Sequence, residues 1–197
     1  MAGETTTTTT NVSNVSVGKP KITGAIYMAP AGTALPTDAV TPLAAAYVGL
    51  GYVSEDGVSN ANTAETSETK AWGGDVVSSE QTSKPDKFKY KLIEAMNVNV
   101  LKAAYGDGNV SGSLEQGITV RANSMPSTTH VWVIDMILKN NAVKRIVIPE
   151  GKVTEVDEIN YKDDEVIGYA LTLAAQPSVA IEGDTHREYM KSAAAAS

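Results

Sequence analysis

The sequence contains no cysteine, and this absence excludes disulfide bonds, thiolate metal ligands and cysteine nucleophiles together. Aromatic residues are scarce, with a single Phe, so we expect a core of Val, Ile and Leu. No apolar run approaches the roughly 20 residues that a membrane-spanning helix needs. The first ten residues have neither a basic start nor an apolar stretch, so they predict no secretory signal.

Patterns that carry catalysis or metal binding are also scarce. His130 and His186 have no other histidine or cysteine near them in the sequence, which argues against a zinc site. Residues 107–112 match the first half of a calcium loop, but Ile118 occupies the position of the required bidentate Glu, so we prefer a turn. The sequence has neither a nucleophile elbow nor a phosphate-binding loop. We therefore predict that the protein is not an enzyme and that it has no catalytic residue, metal site or cofactor.

The charge that is present is mostly negative and unevenly distributed. Lys and Arg total 16 against 23 Asp and Glu, which gives a net charge of −7. Such a chain is not expected to bind a phosphate backbone tightly, because that binding depends on Lys and Arg. Residues 150–165 are mostly acidic and residues 84–91 are rich in Lys. Separate stretches of opposite sign suit self-association.

Composition divides the chain into three zones. Residues 1–19 include six consecutive Thr and are expected to be a flexible arm, because so polar a stretch can bury little surface. Residues 20–180 form the body, and residues 181–197 are expected to be a C-terminal tail with Ala near its end.

The body is predicted to be mainly β. Strand candidates occur at 22–28, 47–54 and 75–83, and residues 87–92 alternate between Lys and apolar side chains. Residues 130–138 predict a strand with both faces covered. An Asn-Asn turn at 140–141 leads it into residues 143–148 as a hairpin, and residues 152–161 and 166–173 predict a second hairpin.

One segment predicts a helix and another fits no regular pattern. Asn97 can cap a helix over residues 98–105, and Gly106 can end it. Many strands with one helix indicate a β-sandwich or open barrel with a flanking helix. Residues 55–74 are interpreted as a long loop that ends at Trp72, a side chain suited to a local core anchor or a partner contact.

Five blocks of sequence, at 24–30, 51–57, 70–75, 92–106 and 145–177, occur in an order that carries a family resemblance. Together they resemble the major tail protein, or tail tube protein, of tailed bacteriophages with long non-contractile tails (siphophages). The resemblance implies a tail-tube-type β-sandwich or open barrel with one flanking α-helix, a long inter-ring loop and extended terminal arms.

The resemblance also implies a function and partners. The protein would form homohexameric rings that stack into a tail tube, and DNA would pass through the lumen into the host without specific binding. Further partners would be the tape measure protein and the tail terminator and distal tail proteins. The protein would belong to the virion and would assemble in the host cytoplasm.

The charge pattern and the strand pattern, taken together with the resemblance, suggest candidate residues for three surfaces, although one sequence does not show which carboxylates face the lumen. The inter-ring loop candidates are Glu55, Asp56, Glu65, Glu68, Lys70 and Trp72. The candidates for contacts within a ring are Lys87, Lys89, Lys91, Val131, Val133, Asp135 and Ile137. The candidates for an acidic lumen are Glu155, Asp157, Glu158, Asp163, Asp164 and Glu165.

One alternative of a different class remains. A secreted or surface Ig-like β-sandwich that binds a ligand would also explain the Thr-rich arm and the β content. The lack of a secretory signal and the five ordered blocks argue against it.

Overall fold

The computed structural model of the protein describes residues 12–21 and 24–192. These residues form thirteen strands and one α-helix, α1 (Val98–Tyr105), so the predicted mainly β class with one helix is confirmed. The strands are β1 (Lys19–Pro20), β2 (Ile26–Pro30), β3 (Val48–Gly49), β4 (Val53–Asn62), β5 (Glu65–Lys70), β6 (Val76–Ser83), β7 (Asp86–Leu92), β8 (Val110–Ser113), β9 (Gly117–Val120), β10 (His130–Ile137), β11 (Val143–Val156), β12 (Tyr169–Ala175) and β13 (Arg187–Lys191).

Nine strands form one continuous, open sheet. Its order is β3-β2-β10-β11-β12-β7-β4, with β1 added beside β10 and β13 added beside β11. The long strand β11 changes partners along its length, because residues 143–147 pair with β13 and residues 151–156 pair with β12. The main strands therefore form one hydrogen-bonded sheet with free edges that folds back on itself, because Tyr90 of β7 and Trp132 of β10, three strands apart in this order, have ring centroids only 6.3 Å apart.

Apolar clusters cover both faces of the centre of this sheet. On one face, α1 packs through Leu101 against a large cluster that includes Phe88, Trp132 and Leu171. On the other face, Val133 belongs to a smaller cluster that includes side chains of the 27–47 region. Every residue at 130–135 is buried. The prediction that both faces of this strand are covered is thus confirmed.

Local sequence signals place the helix and the first hairpin correctly. The Asn97 side chain accepts a hydrogen bond from the Asn99 backbone amide at 3.0 Å, and the helix ends at Gly106, whose φ is 91°. Asn140 and Asn141 have φ values of 58° and 57°, in the left-handed region that Asn tolerates, and they connect β10 to β11. Both predictions are confirmed.

The second hairpin and the chain ends differ from prediction. β11 and β12 do pair, but β11 ends earlier and β12 begins later than expected, so residues 157–168 form a mostly exposed loop. Residues 187–191 form β13 within the sheet, so the body extends beyond the predicted boundary at 180. Lys19–Pro20 pairs with β10. The remainder of the predicted arms, residues 1–11 and 193–197, lies outside the described residues.

A buried ion pair connects the two central strands. Arg145 and Asp135 are register partners on β11 and β10, and Arg145 Nε and Nη2 donate to the two Asp135 carboxylate oxygens at 2.7 and 2.8 Å. Arg145 Nη1 also donates to the carbonyl oxygens of Thr41 and Asp38 at 2.7 and 3.2 Å. The pair therefore ties the 38–41 turn to the sheet.

We predict that Arg145→Met lowers the free energy of unfolding by about 3–5 kcal/mol, because it leaves Asp135 buried without its main partner. Urea denaturation measures this loss. The double variant Asp135→Leu/Arg145→Met is the control, because it removes both charges and should recover part of the stability. A single variant as stable as the native chain would contradict the prediction.

Candidate assembly surfaces

The segment predicted as a long loop at 55–74 is instead part of an extended β-ribbon. β4 pairs with β7 as far as Asn62 and Asp86, and β5 and β6 continue as a two-stranded extension from Glu65 and Ser83. The prediction failed because the extension is polar on both faces. It therefore lacks the alternation of apolar and polar residues that marks a half-buried strand.

Residues 63–83, here called the distal ribbon, project without cover from the other residues that the structure describes. All of them are exposed except Ser78, which is half-buried. The Trp72 side chain, at the turn between β5 and β6, is 106% exposed, so it is not a local core anchor. Val76 and Val77 beside it are also exposed. Because an isolated two-stranded hairpin is only marginally stable in water, such a ribbon gains stability from a partner surface.

Among the other inter-ring candidates, Glu65, Glu68 and Lys70 lie on the distal ribbon. Glu55 and Asp56 do not, because they lie in β4 at the irregular stretch where the pairing with β7 shifts register. The structure therefore separates the candidates into two places on the surface.

A buried carboxylate anchors the base of the distal ribbon. Asp86 Oδ1 accepts a hydrogen bond from Asn60 Nδ2 at 2.7 Å. Asp86 Oδ2 lies 2.6 Å from both Thr185 Oγ1 and His186 Nδ1. This carboxylate links β4 and β7 to the segment before β13. Sequence reasoning did not single out Asp86, although its place at the start of an alternating strand was a usable signal.

Lysines of β7 and carboxylates of β11 share one face of the sheet. Lys89 pairs with Thr172, which in turn pairs with Glu155, and paired residues of neighbouring strands point to the same face. Lys91 Nζ lies 3.4 Å from Glu165 Oε1. Hydrogen bonds from Lys162 and Lys91 lower the pKa of Glu165 below its ordinary value. The basic and acidic stretches thus meet within one chain, and Lys91 has a partner there.

The remaining candidates for contacts within a ring fall into two groups. Lys87 and Lys89 are exposed. Val131, Val133 and Asp135 are buried within the chain, the first two in the smaller cluster and the third in the ion pair with Arg145, while Ile137 is half-buried. The three buried side chains are not available to a neighbouring subunit in this conformation. Sequence reasoning recognised that this strand is covered on both faces but did not identify the 27–47 region as its cover.

The acidic lumen candidates all lie on the surface. All six candidates are exposed. Glu155 lies in β11, and the five from Asp157 to Glu165 lie in the first nine residues of the 157–168 loop.

The half calcium motif forms a different contact. Asp107, its first residue, has its Oδ2 2.7 Å from His130 Nε2. In the described part of the chain, no group of three or more His, Cys, Asp or Glu side chains could hold a metal ion. None of the described helices is long and apolar enough to cross a membrane.

An uncovered ribbon with an aromatic side chain at its turn, joined to a sheet with free edges, is typical of a subunit that associates with other chains. A comparison with protein families matches residues 6–186 to the family described as phage tail tube protein. The match covers most of the sequence, and the chain belongs to the phage tail tube protein family. It is therefore a structural component of the virion that self-assembles into a tube. A search of curated proteins gives no match.

We predict that Asp86→Asn lowers the free energy of unfolding by about 1–3 kcal/mol, because an amide group cannot accept hydrogen bonds from all three donors. Denaturant unfolding measures the loss, and hydrogen exchange should show faster opening at residues 60–62. Glu80→Gln, which makes the same chemical change on the exposed ribbon, is the matched control. If the two variants are equally stable, the buried carboxylate is not an anchor.

Proposed function

We propose that the protein forms hexameric rings that stack into the tail tube of a phage with a long non-contractile tail, and that DNA passes through this tube into the host. Family membership supports a tube-forming role. The ring number, the tail type and the passage of DNA are inferences that extend it. Assembly in the host cytoplasm and contacts with tape measure, terminator and distal tail proteins belong to the same proposal.

The observation that carries the proposal is the distal ribbon. It is exposed over nearly its whole length and ends in a fully exposed Trp72, and beyond its base none of the described elements covers it. A contact with the neighbouring ring would bury this side chain and support the two strands. The ribbon thus takes the role that we assigned to the inter-ring loop.

Contacts within a ring are proposed to use a free sheet edge and the lysine face of β7. β4 lies at one end of the sheet order and, among the described strands, pairs with β7 alone, so its outer edge can accept a strand from another subunit. Lys87 and Lys89 form no ion pair with the described residues, which leaves them available to acidic groups of a neighbour. Lys91 contributes less, because it already contacts Glu165.

The exposed carboxylates are proposed to face the lumen. Glu155 and the acidic part of the 157–168 loop carry much of the negative charge of a chain whose net charge is −7. A negative wall repels DNA phosphates, so DNA can move along it without being retained.

Removal of the distal ribbon tests the inter-ring role. Because Asn62 and Asp86 are register partners, residues 63–85 can be replaced by Asn-Gly, which favours a two-residue hairpin turn. We expect the variant to keep its β circular dichroism and to form no stacked tubes in electron micrographs. Tubes like those of the full-length chain would contradict the role of the ribbon in stacking.

We also predict that the protein retains no duplex DNA at micromolar concentration and physiological salt. The net charge is −7, and the four lysines at 84–91, of which Lys91 is already paired with Glu165, are too few to supply the basic surface that tight phosphate binding needs. Filter binding at two salt concentrations measures retention, with a basic DNA-binding protein as the positive control. Salt-sensitive binding would show that the acidic groups do not form the DNA-facing surface.

A further inference from the structure

The distal ribbon and a second apolar feature lie at opposite ends of the same strand ladder. β7 begins at Asp86, beside the base of the distal ribbon, and ends at Leu92. Leu92 is the register partner of Val53 and of Tyr169, so the starts of β4 and β12 lie at that same far end. The distal ribbon continues the ladder beyond Asp86. It therefore points away from the surface that lies beyond Leu92, at the other end of β7.

Beyond Leu92 the surface contains a groove of about 720 Å³, here called the end groove, formed by residues 93–97, 162 and 165–167. Met96 and Val166 in this groove are 69% and 63% exposed. Ile93, Ala95 and Ile167 complete the apolar lining. Tyr52 at the start of the neighbouring β4 is exposed too, so this end of the sheet concentrates apolar side chains without cover.

The end groove and the turn of the distal ribbon are complementary in chemistry. The turn offers an indole ring, and a methionine thioether such as that of Met96 makes favourable contacts with aromatic rings. Lys70 and Asp75 flank the turn, while Glu94 and the Lys162–Glu165 ion pair line the groove, so each surface carries charges of both signs and the groove carries one more negative charge than positive. Opposite charges at the rim of an apolar contact set its orientation.

We propose that the Trp72 turn of one copy binds in the end groove of the next copy along the tube. The two surfaces differ and lie at opposite ends of the strand ladder of one subunit, so the contact between two subunits is head-to-tail. Contacts of this kind generate open-ended assemblies when the rotation does not close. The assignment rests on the proposed function, because it supplies the receptor for the inter-ring role of the distal ribbon.

The cysteine-free sequence allows a selective cross-linking test. Gly73→Cys places a thiol beside Trp72 in open space, since nothing lies within 4 Å of an added Cβ. Val166→Cys places a thiol in the end groove. The two single variants are mixed, assembled and treated with a short thiol-to-thiol reagent. We expect cross-linked dimers of the two variants in the assembled fraction, in several-fold excess over the unassembled fraction.

Val179→Cys is the matched control for Val166→Cys. Val179 lies outside the end groove and is 96% exposed, so its thiol is at least as accessible as that at position 166. Tubes in which Gly73→Cys links equally to Val179→Cys, or mainly to itself, would overturn the end groove as the receptor and leave the proposed function standing. If the native chain forms no tubes at high concentration, the proposed function fails, and the docking assignment fails with it.

A second measurement does not depend on cross-linking. Trp72→Ala should raise the protein concentration needed for assembly at least about tenfold, as expected when an aromatic anchor of an interface is removed. Val166→Asp should have a similar effect from the groove side. Met125→Ala changes another exposed apolar side chain and should leave the threshold unchanged. Equal thresholds for Trp72→Ala and Met125→Ala would overturn the proposal.

Discussion

The arrangement of the molecule depends on the ion pair between Arg145 and Asp135. It joins the two central strands and fixes the 38–41 turn against one face of the sheet, while α1 packs on the other face. Both faces of β10 are consequently internal to a single chain. The free edges, the distal ribbon and the exposed loops are the surfaces left for association, and this constraint decides where a tube contact can form.

The composition of the distal ribbon fits a subunit that must fold before it assembles. A long apolar edge would pair with any exposed strand, whereas a polar ribbon offers backbone groups and little else until a matched surface is present. Its apolar content is concentrated near the turn, in Trp72, Val76 and Val77. In the proposed contact, specific recognition would rest on this end of the ribbon, and the rest of its length would act as a spacer of about 20–30 Å at the rise of a β-strand.

Features set by neighbouring residues could be predicted from the sequence, and features set by distant ones could not. The cap at Asn97 and the turn at Asn140 depend on local backbone chemistry, and both were predicted correctly. Of the distal ribbon, residues 75–83 were predicted as a strand and form β6, whereas β5 was missed because its stability comes from the backbone ladder rather than from an apolar face. The Arg145–Asp135 pair was also missed, because a two-residue turn at Asn140 and Asn141 would place Asp135 opposite Ile146, whereas the turn over Lys139–Asn141 makes Arg145 its register partner.

The relation between the charged stretches is also set by distant residues, and for this reason sequence reasoning treated the stretches as separate. Only the register of β7, β12 and β11 shows that Lys89 and Glu155 lie on one face, two strands apart. Exposed ion pairs contribute about 0–1 kcal/mol each, so neither the Lys91–Glu165 pair nor similar pairs between subunits can hold a tube together. Adhesion must then come from backbone pairing at sheet edges and from burial of apolar side chains. The charges then have a different role. They select one register and one orientation of neighbouring subunits among those that backbone pairing and apolar burial would allow.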